Sequence, residues 1–363
     1  LIDDGKVLVR VVETDGVTVT TRVEVPGKVS NNKGINLPGV AVNVPALSEK
    51  DEDDLRWGLR IGADIIALSF VRSAEDINRV HAIMDEEGIR LPVIAKIEKP
   101  QAVENLNEIV DAFDGIMVAR GDLGVELPLE QVPIVQKNAI QQARRWAKPV
   151  IVATQMLETM SDTPRPPRAA ASACANAVRD GADALMLSGE TSVGAFPIEA
   201  VRTMARIIES TETHGLDRIP PLGTKPFTQG GAITLAASEV GEFLKAKYYC
   251  VFTESGDSVR RMARLRTEIP VLGFTPSPHI ARRMNLYWGV TAAIVERVTH
   301  TDEMIGQVDK YLMENGLAQA GDVVVVVAGM PPGRAGTTND LRVPRVGADD
   351  DRVVPAYEGK HTR

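Results

Sequence analysis

From residue 7 to residue 25 apolar and polar residues alternate (VLVRVVETDGVTVTTRVEV), with Asp15-Gly16 at the midpoint. The pattern predicts a β-hairpin in a small β region that runs on to Asn43. Beyond it the pattern changes. Apolar runs become too continuous for a half-exposed antiparallel sheet and alternate with stretches of helical period, which implies parallel strands buried on both faces. The series opens with a helix over 49–61, strand ADIIALSF, a helix near 74–87, strand PVIAKIE, a helix near 102–112 and strand GIMVAR. A helix over 133–146, strand PVIVATQ, a helix over 167–179, strand ADALMLSG and a helix over 198–212 complete it. About five βα units in a row suggest a β/α barrel or an open doubly wound sheet.

Two features favour the barrel. Polar residues gather where strands end: Ser69, Lys96 with Glu98, Arg120 with Asp122, Thr154 with Gln155, and Ser188 with Glu190. Barrel enzymes place their catalytic groups at that rim. No G-x-G-x-x-G turn follows an early strand, so a dinucleotide-binding fold loses its main support. A linker over 216–229 carries Pro220, Pro221, Gly223 and Pro226. A second α/β domain follows over 230–347, with a helix over 232–244, strand YYCVFT, a helix over 259–265, strand VLGFT, a helix over 302–315 and strand VVVVVAG. There is no exact internal repeat, and the polar stretch over 348–363 is expected to fray.

Composition narrows the function. Hydrophobic residues make up 44% and charged residues 25% of the 363 positions, the balance of a folded globular protein with room for two or three domains. A net charge of −8 argues against a broad nucleic-acid footprint and moves small-molecule chemistry forward. Cys174 and Cys250 are too few for a disulfide framework, lack metal-ligand spacing and fit two buried thiols in a reducing cytosol. No apolar run reaches roughly 18 residues and no signal-peptide pattern opens the chain, so a cytoplasmic protein without a membrane span is expected.

Lys96 and Glu98 stand two apart on a strand and share one face. A buried ion pair explains that spacing taken alone, but the next strand delivers Arg120 and Asp122 to the same rim. Two carboxylates suit a hard cation such as Mg²⁺, with water and substrate oxygens completing its shell. Lys96 is then placed to stabilise charge on a phosphoryl group and a departing enolate oxygen. The spacings alone specify metal-assisted phosphate or enolate chemistry and no more. Gly121-Asp122-Leu123-Gly124 could open a short helix that presents amides to a substrate, though an ordinary βα turn is the simpler reading.

The segments Lys33-Gly34-Ile35-Asn36-Leu37-Pro38-Gly39, Ala67-Leu68-Ser69-Phe70, Ile94-Ala95-Lys96-Ile97-Glu98, Met117 to Gly124, Ala153 to Glu158 and Met186 to Thr191 resemble pyruvate kinase in order and spacing, over nearly the whole chain to about Gly347. The resemblance implies part of a TIM-type (β/α)8 barrel, about its last five βα units, over 44–215. It also implies the remnant of an inserted β lid domain over 1–43 and a C-terminal α/β regulatory domain, in a cytoplasmic homotetramer. It further implies phosphoryl transfer between phosphoenolpyruvate and ADP, giving pyruvate and ATP. Lys96 matches the catalytic lysine, Glu98 and Asp122 the Mg²⁺ or Mn²⁺ ligands, and Lys33 a lid lysine near the nucleotide phosphates. Ser69, Phe70, Lys96, Arg120, Gly121 and Asp122 form the expected substrate-binding set. The loop bearing Thr253, Ser255, Gly256 and Ser258 matches one that holds a phosphorylated effector in some members, although Glu254 within it repels phosphate.

The sequence departs from the family at two places. The motif Arg-Pro-Thr-Arg-Ala-Glu appears as Arg165-Pro166-Pro167-Arg168-Ala169-Ala170, so Pro167 replaces a threonine implied to offer a hydroxyl above the enolate. Ala173 and Cys174 replace an aspartate and a valine in the same helix. The family's first three barrel strands, the start of its lid, a phosphate-contacting arginine and its K⁺ ligands are expected to lie before Leu1, as in a truncated reading of a longer gene. Two alternatives stand beside the kinase: a regulatory or decaying paralogue, favoured by Pro167 and Ala170, and a metal-dependent lyase or aldolase barrel acting on a pyruvate enolate.

Overall fold

The computed structural model describes residues 1–2, 5–31, 33–37, 47–298 and 300–347, with the backbone alone for residues 301 and 302. Pro38 and Gly39, the 43/44 boundary and the 348–363 tail lie outside the described residues. The chain divides into two compact units. The first comprises Leu1–Lys225 with the short segments Arg264–Arg266 and Asn285–Trp288. Among the described residues, no helix is long and apolar enough to cross a membrane.

The first unit opens with β1 (Leu8–Thr14) and β2 (Val19–Val25), an antiparallel hairpin that pairs Leu8 with Val25. The Asp15 carboxylate accepts the amides of Val17 and Thr18 at 2.8 and 2.6 Å and so closes the expected turn. Val11, Val12, Val19, Val23 and Val25 are all exposed.

There follow α1 (Glu49–Arg60), β3 (Ile66–Leu68), α2 (Ile77–Glu87), β4 (Val93–Ile97), α3 (Pro100–Glu104), α4 (Leu106–Ala112), β5 (Gly115–Ala119), α5 (Arg120–Glu126) and α6 (Val132–Arg145). Next come β6 (Val150–Ala153), α7 (Arg168–Asp180), β7 (Ala184–Met186), α8 (Gly189–Ser192) and α9 (Pro197–Gly215). Ser48 starts α1 with a capping box to Asp51, and Gly88 and Gly181 end α2 and α7 in the left-handed conformation. The helix expected over 102–112 is instead two pieces divided at Asn105, whose side-chain amide donates to the Arg72 carbonyl at 3.0 Å. It begins two residues early because Pro100 is pre-set for a first helical turn.

The other five strands described in this unit are parallel and neighbour one another in chain order, β3-β4-β5-β6-β7. A doubly wound sheet reverses direction partway, whereas this uninterrupted order is that of a β/α barrel wall. Val93, Ala95 and Ile97 of β4, with Ile116 and Val118 of β5, pack into the helix-side core with Leu59, Ile83, Ile109 and Ile140. Ile94, Met117 and Ala153 form a small cluster on the opposite face. By alternation Lys96 belongs to that second face, away from the helices.

The second unit contains α10 (Gln229–Leu244), β8 (Tyr249–Phe252), α11 (Asp257–Ala263), β9 (Val271–Thr275), α12 (Pro278–Met284), β10 (Val290–Ile294), α13 (Thr301–Glu314), β11 (Val325–Gly329) and β12 (Thr338–Arg342). Its sheet runs β10-β9-β8-β11-β12, parallel except for β12. The sequence reading misses α12, β10 and β12, although Ser277-Pro278 is a helix-start signal. Phe252 and Phe274 stack at 5.0 Å, and Tyr311 meets Phe274 edge-on at 5.3 Å in the core of this unit.

Candidate active site

β4 and β5 end side by side, with Ile97 opposite Val118, so the residues that follow leave from adjacent points on the rim. The Lys96 ammonium lies 2.6 Å from Glu98 Oε1 and donates to Ser69 Oγ at 3.0 Å. Glu98 is 1% exposed, and its Oε2 accepts the Phe70 amide at 2.8 Å. That contact exists because Phe70 adopts φ 56°, a left-handed conformation rare for an aromatic residue, which turns its N–H toward β4. Ser69, Phe70, Lys96 and Glu98 thus form one bonded group at the ends of β3 and β4. Next to it, Lys99 pairs with Glu126 of α5 at 2.7 Å and sits 5.3 Å from the centre of the Phe70 ring.

Arg120, Gly121 and Asp122 form the first turn of α5, where helix-end amides favour the Asp122 carboxylate. The Gly121 amide donates to Thr154 Oγ1 at 2.7 Å. The Arg120 guanidinium turns to the same segment, and burial pulls its pKa below the usual arginine value. Thr154 and Gln155, which follow β6, take φ 65° and 52°. Three non-glycine residues with positive φ at one rim mark strain of the kind that gathers at functional sites.

Lys33 is exposed on the segment 33–37, which reaches α5 through Asn36, 3.3 Å from Glu126. Pro167 is the N-cap of α7, exposed, with φ −68° and no side-chain cap. Glu190 is buried, and its carboxylate accepts the amides of Leu157 at 3.1 Å and Ser188 at 2.7 Å. Thr154 and Glu190 stand among the strand-end polar residues that the sequence places at the rim, but no specific role is expected of either.

The group expected to hold an effector lies in the second unit. Thr253 follows β8, and its hydroxyl accepts the Gly256 amide at 2.8 Å, where Gly256 takes φ 88°. Ser258 hydrogen-bonds Thr338 of β12, and Arg297 pairs with Glu254 at 2.9 Å. Thr253, Glu254, Ser255, Ser258, Arg297 and Arg334 help line a cleft of about 50 Å³. Because β8 leads outward to β9 and then β11 returns on its other side, this cleft opens at the sheet's switch point, a favoured ligand position.

Among the described residues, no group of three or more histidine, cysteine, aspartate or glutamate side chains is placed to hold a metal. A lysine bonded to a carboxylate at a strained β/α rim, with a second carboxylate in the helical turn that follows the next strand, is equipment for metal-assisted phosphate or enolate chemistry. Comparison with known proteins narrows this class. The family model "Pyruvate kinase, barrel domain" matches residues 1–201, and "Pyruvate kinase, alpha/beta domain" matches residues 231–344. A pyruvate kinase of Mycobacterium intracellulare is 57% identical over 350 residues, 96% of this chain and 74% of its own length. One from Corynebacterium efficiens is 55% identical over 349 residues, with 96% and 73% covered, and one from Agrobacterium vitis is 45% identical over 350 residues, again with 96% and 73% covered. The chain belongs to the pyruvate kinase family. The reaction is therefore phosphoryl transfer between phosphoenolpyruvate and ADP, and membership implies dependence on a divalent metal and on K⁺.

Proposed function

We propose that the rim of β3, β4, β5 and β6 is where this chain transfers the phosphoryl group of phosphoenolpyruvate to ADP. The observation that carries this reading is the buried Glu98 carboxylate, held between the Lys96 ammonium and the Phe70 amide. Lys96 stabilises charge on the moving phosphoryl group and on the enolate oxygen as the phosphorus–oxygen bond breaks. The ADP terminal oxygen takes the phosphorus, and the enolate takes a proton at carbon to become pyruvate. Ser69 orients Lys96, while Phe70, Gly121 and Asp122 wall the substrate side.

The donor set fits Mg²⁺ or Mn²⁺: both side chains offer hard oxygens, and a carboxylate with one protein partner on each oxygen keeps further lone pairs. Glu98 and Asp122 would hold the ion, which when bound neutralises phosphate charge. Lys33 reaches for the nucleotide phosphates. Residues 1–43, 44–215 and 230–347 serve as lid portion, barrel portion and regulatory domain, in a cytoplasmic homotetramer. The cleft beside Thr253, Ser255, Gly256 and Ser258 takes a phosphorylated effector, with Arg297 already neutralised by Glu254.

Glu98→Gln and Asp122→Asn test the reading. Each should lower turnover at least about 100-fold and weaken Mn²⁺ binding measured by electron paramagnetic resonance. Near-native turnover and Mn²⁺ affinity in both variants would overturn it.

A further inference from the structure

We propose that Arg120 is a positioning residue, which fixes the left-handed Thr154–Gln155 turn and with it the Thr154 hydroxyl, in place of the direct substrate contact its position suggests. The inference rests on the rim being the phosphoryl-transfer site. Arg120 Nη2 donates to the Thr154 carbonyl at 3.0 Å and to the Gln155 carbonyl at 2.8 Å, and lies 2.6 Å from Met156 Sδ. Nε adds a 3.3 Å bond to the Thr154 carbonyl. Nε and Nη2 grip the Thr154 carbonyl together while Nη2 also reaches the next carbonyl, a two-nitrogen hold that the single nitrogen of an ammonium cannot reproduce.

The clasp is reciprocal. The side chain of Arg120 holds the backbone of Thr154, and the backbone of the next residue, Gly121, holds the side chain of Thr154 at 2.7 Å. Thr154 Oγ1 donates its one proton to the Ala153 carbonyl at 2.7 Å, so the rotor is locked and its second lone pair has a fixed direction. Any Cβ at 121 would stand 3.2 Å from Thr154 Oγ1, which explains a glycine at this contact. At the far end Glu190 pins the Leu157 amide. A β-branched residue holds φ 65° only when its surroundings over-determine it, and these bonds do so.

The test is a double-mutant cycle on the full chain, with pyruvate formation followed at varied phosphoenolpyruvate. With the Thr154 hydroxyl acting in the reaction, Arg120→Gln should lower kcat on the order of 100-fold with little change in KM, the loss expected when such a group is displaced by about 1 Å. In a Thr154→Ala background the same substitution should change kcat by no more than about twofold, because the clasp then has nothing to position. Arg120→Lys, which keeps the charge, should recover little, and it replaces Arg120→Gln in the cycle if that variant fails to fold. Multiplicative effects, or a raised KM at unchanged kcat, would mean direct substrate contact and overturn the inference. Lys96→Ala separates the two failures. Its full activity would sink the rim reading and this inference together, whereas its loss beside multiplicative Arg120 and Thr154 effects would sink the inference alone.

Discussion

Lys96→Met tests the buried pair at the centre of the rim. The substitution keeps an unbranched chain out to the ε position and removes the ammonium 2.6 Å from Glu98, leaving a carboxylate that is 1% exposed with the Phe70 amide still bonded to it. Breaking one partner of a buried pair costs about 3 to 5 kcal/mol. The Lys96 side chain is 24% exposed, so water already screens part of the interaction and the lower end, about 3 kcal/mol, applies. For a unit of this size each kcal/mol moves the unfolding midpoint by about 2 to 4 °C, giving an expected drop of about 6 to 12 °C. Adding Glu98→Gln should recover part of that drop by removing the stranded charge. If Glu98 holds the divalent ion, millimolar Mg²⁺ should narrow the gap between Lys96→Met and the parent. Circular dichroism melts with and without Mg²⁺ read all three effects. A midpoint within about 1 °C of the parent, or a double variant less stable than Lys96→Met, would refute the buried-pair reasoning.

Two further outcomes are expected. Pro167→Thr should leave stability nearly unchanged, since an N-cap hydroxyl gains about 1 kcal/mol while removing proline frees the unfolded chain by about 0.4 to 1 kcal/mol. Turnover should rise roughly three- to tenfold if position 167 contributes one hydrogen bond to the substrate, and a higher melting point without faster turnover would sink that idea. Burial pushes the Cys174 thiol from 9.0 up to about 11. A folded pKa above the unfolded one gives stability that is complete below pH 9 and lost as pH rises from about 9 to about 11, by about 2 to 3 kcal/mol. Cys250, likewise raised by burial, contributes equally to both proteins, so urea unfolding should show an alkaline loss smaller in Cys174→Val than in the parent by that amount.

What the sequence discloses here depends on how local each cause is. The parallel wall is legible because β4 and β5 are near-continuous apolar runs, and the strand-end polar residues because each follows such a run. Alternation alone puts Lys96 and Glu98 on one face, and they meet at 2.6 Å although the regular strand ends at Ile97. The left-handed turns at Phe70, Thr154 and Gln155 leave no such trace. None of these three is a residue that prefers that conformation, and each is held by groups 28 to 35 positions away, so the amide of Phe70 and the hydroxyl of Thr154 enter the site through tertiary bonds that local pattern does not disclose. The break at Asn105 is of the same kind, set by a bond to Arg72. In the second unit, β12 is hidden because TNDLR has neither an apolar run nor clean alternation, and its pairing with β11 makes it a strand.

The β1–β2 hairpin carries all of its valines but Val9 on the outside, and two strands alone are marginal in water. It adds nothing to the apolar core that makes the parallel wall cooperative, so its opening free energy is decoupled from the global one. Its amides will exchange with deuterated solvent well before those of β4 and β5, and a protease will nick it while the wall stays folded. Mutational tolerance should follow the same division, with surface valines in the hairpin freely replaceable and the interior of β4 and β5 closed to change.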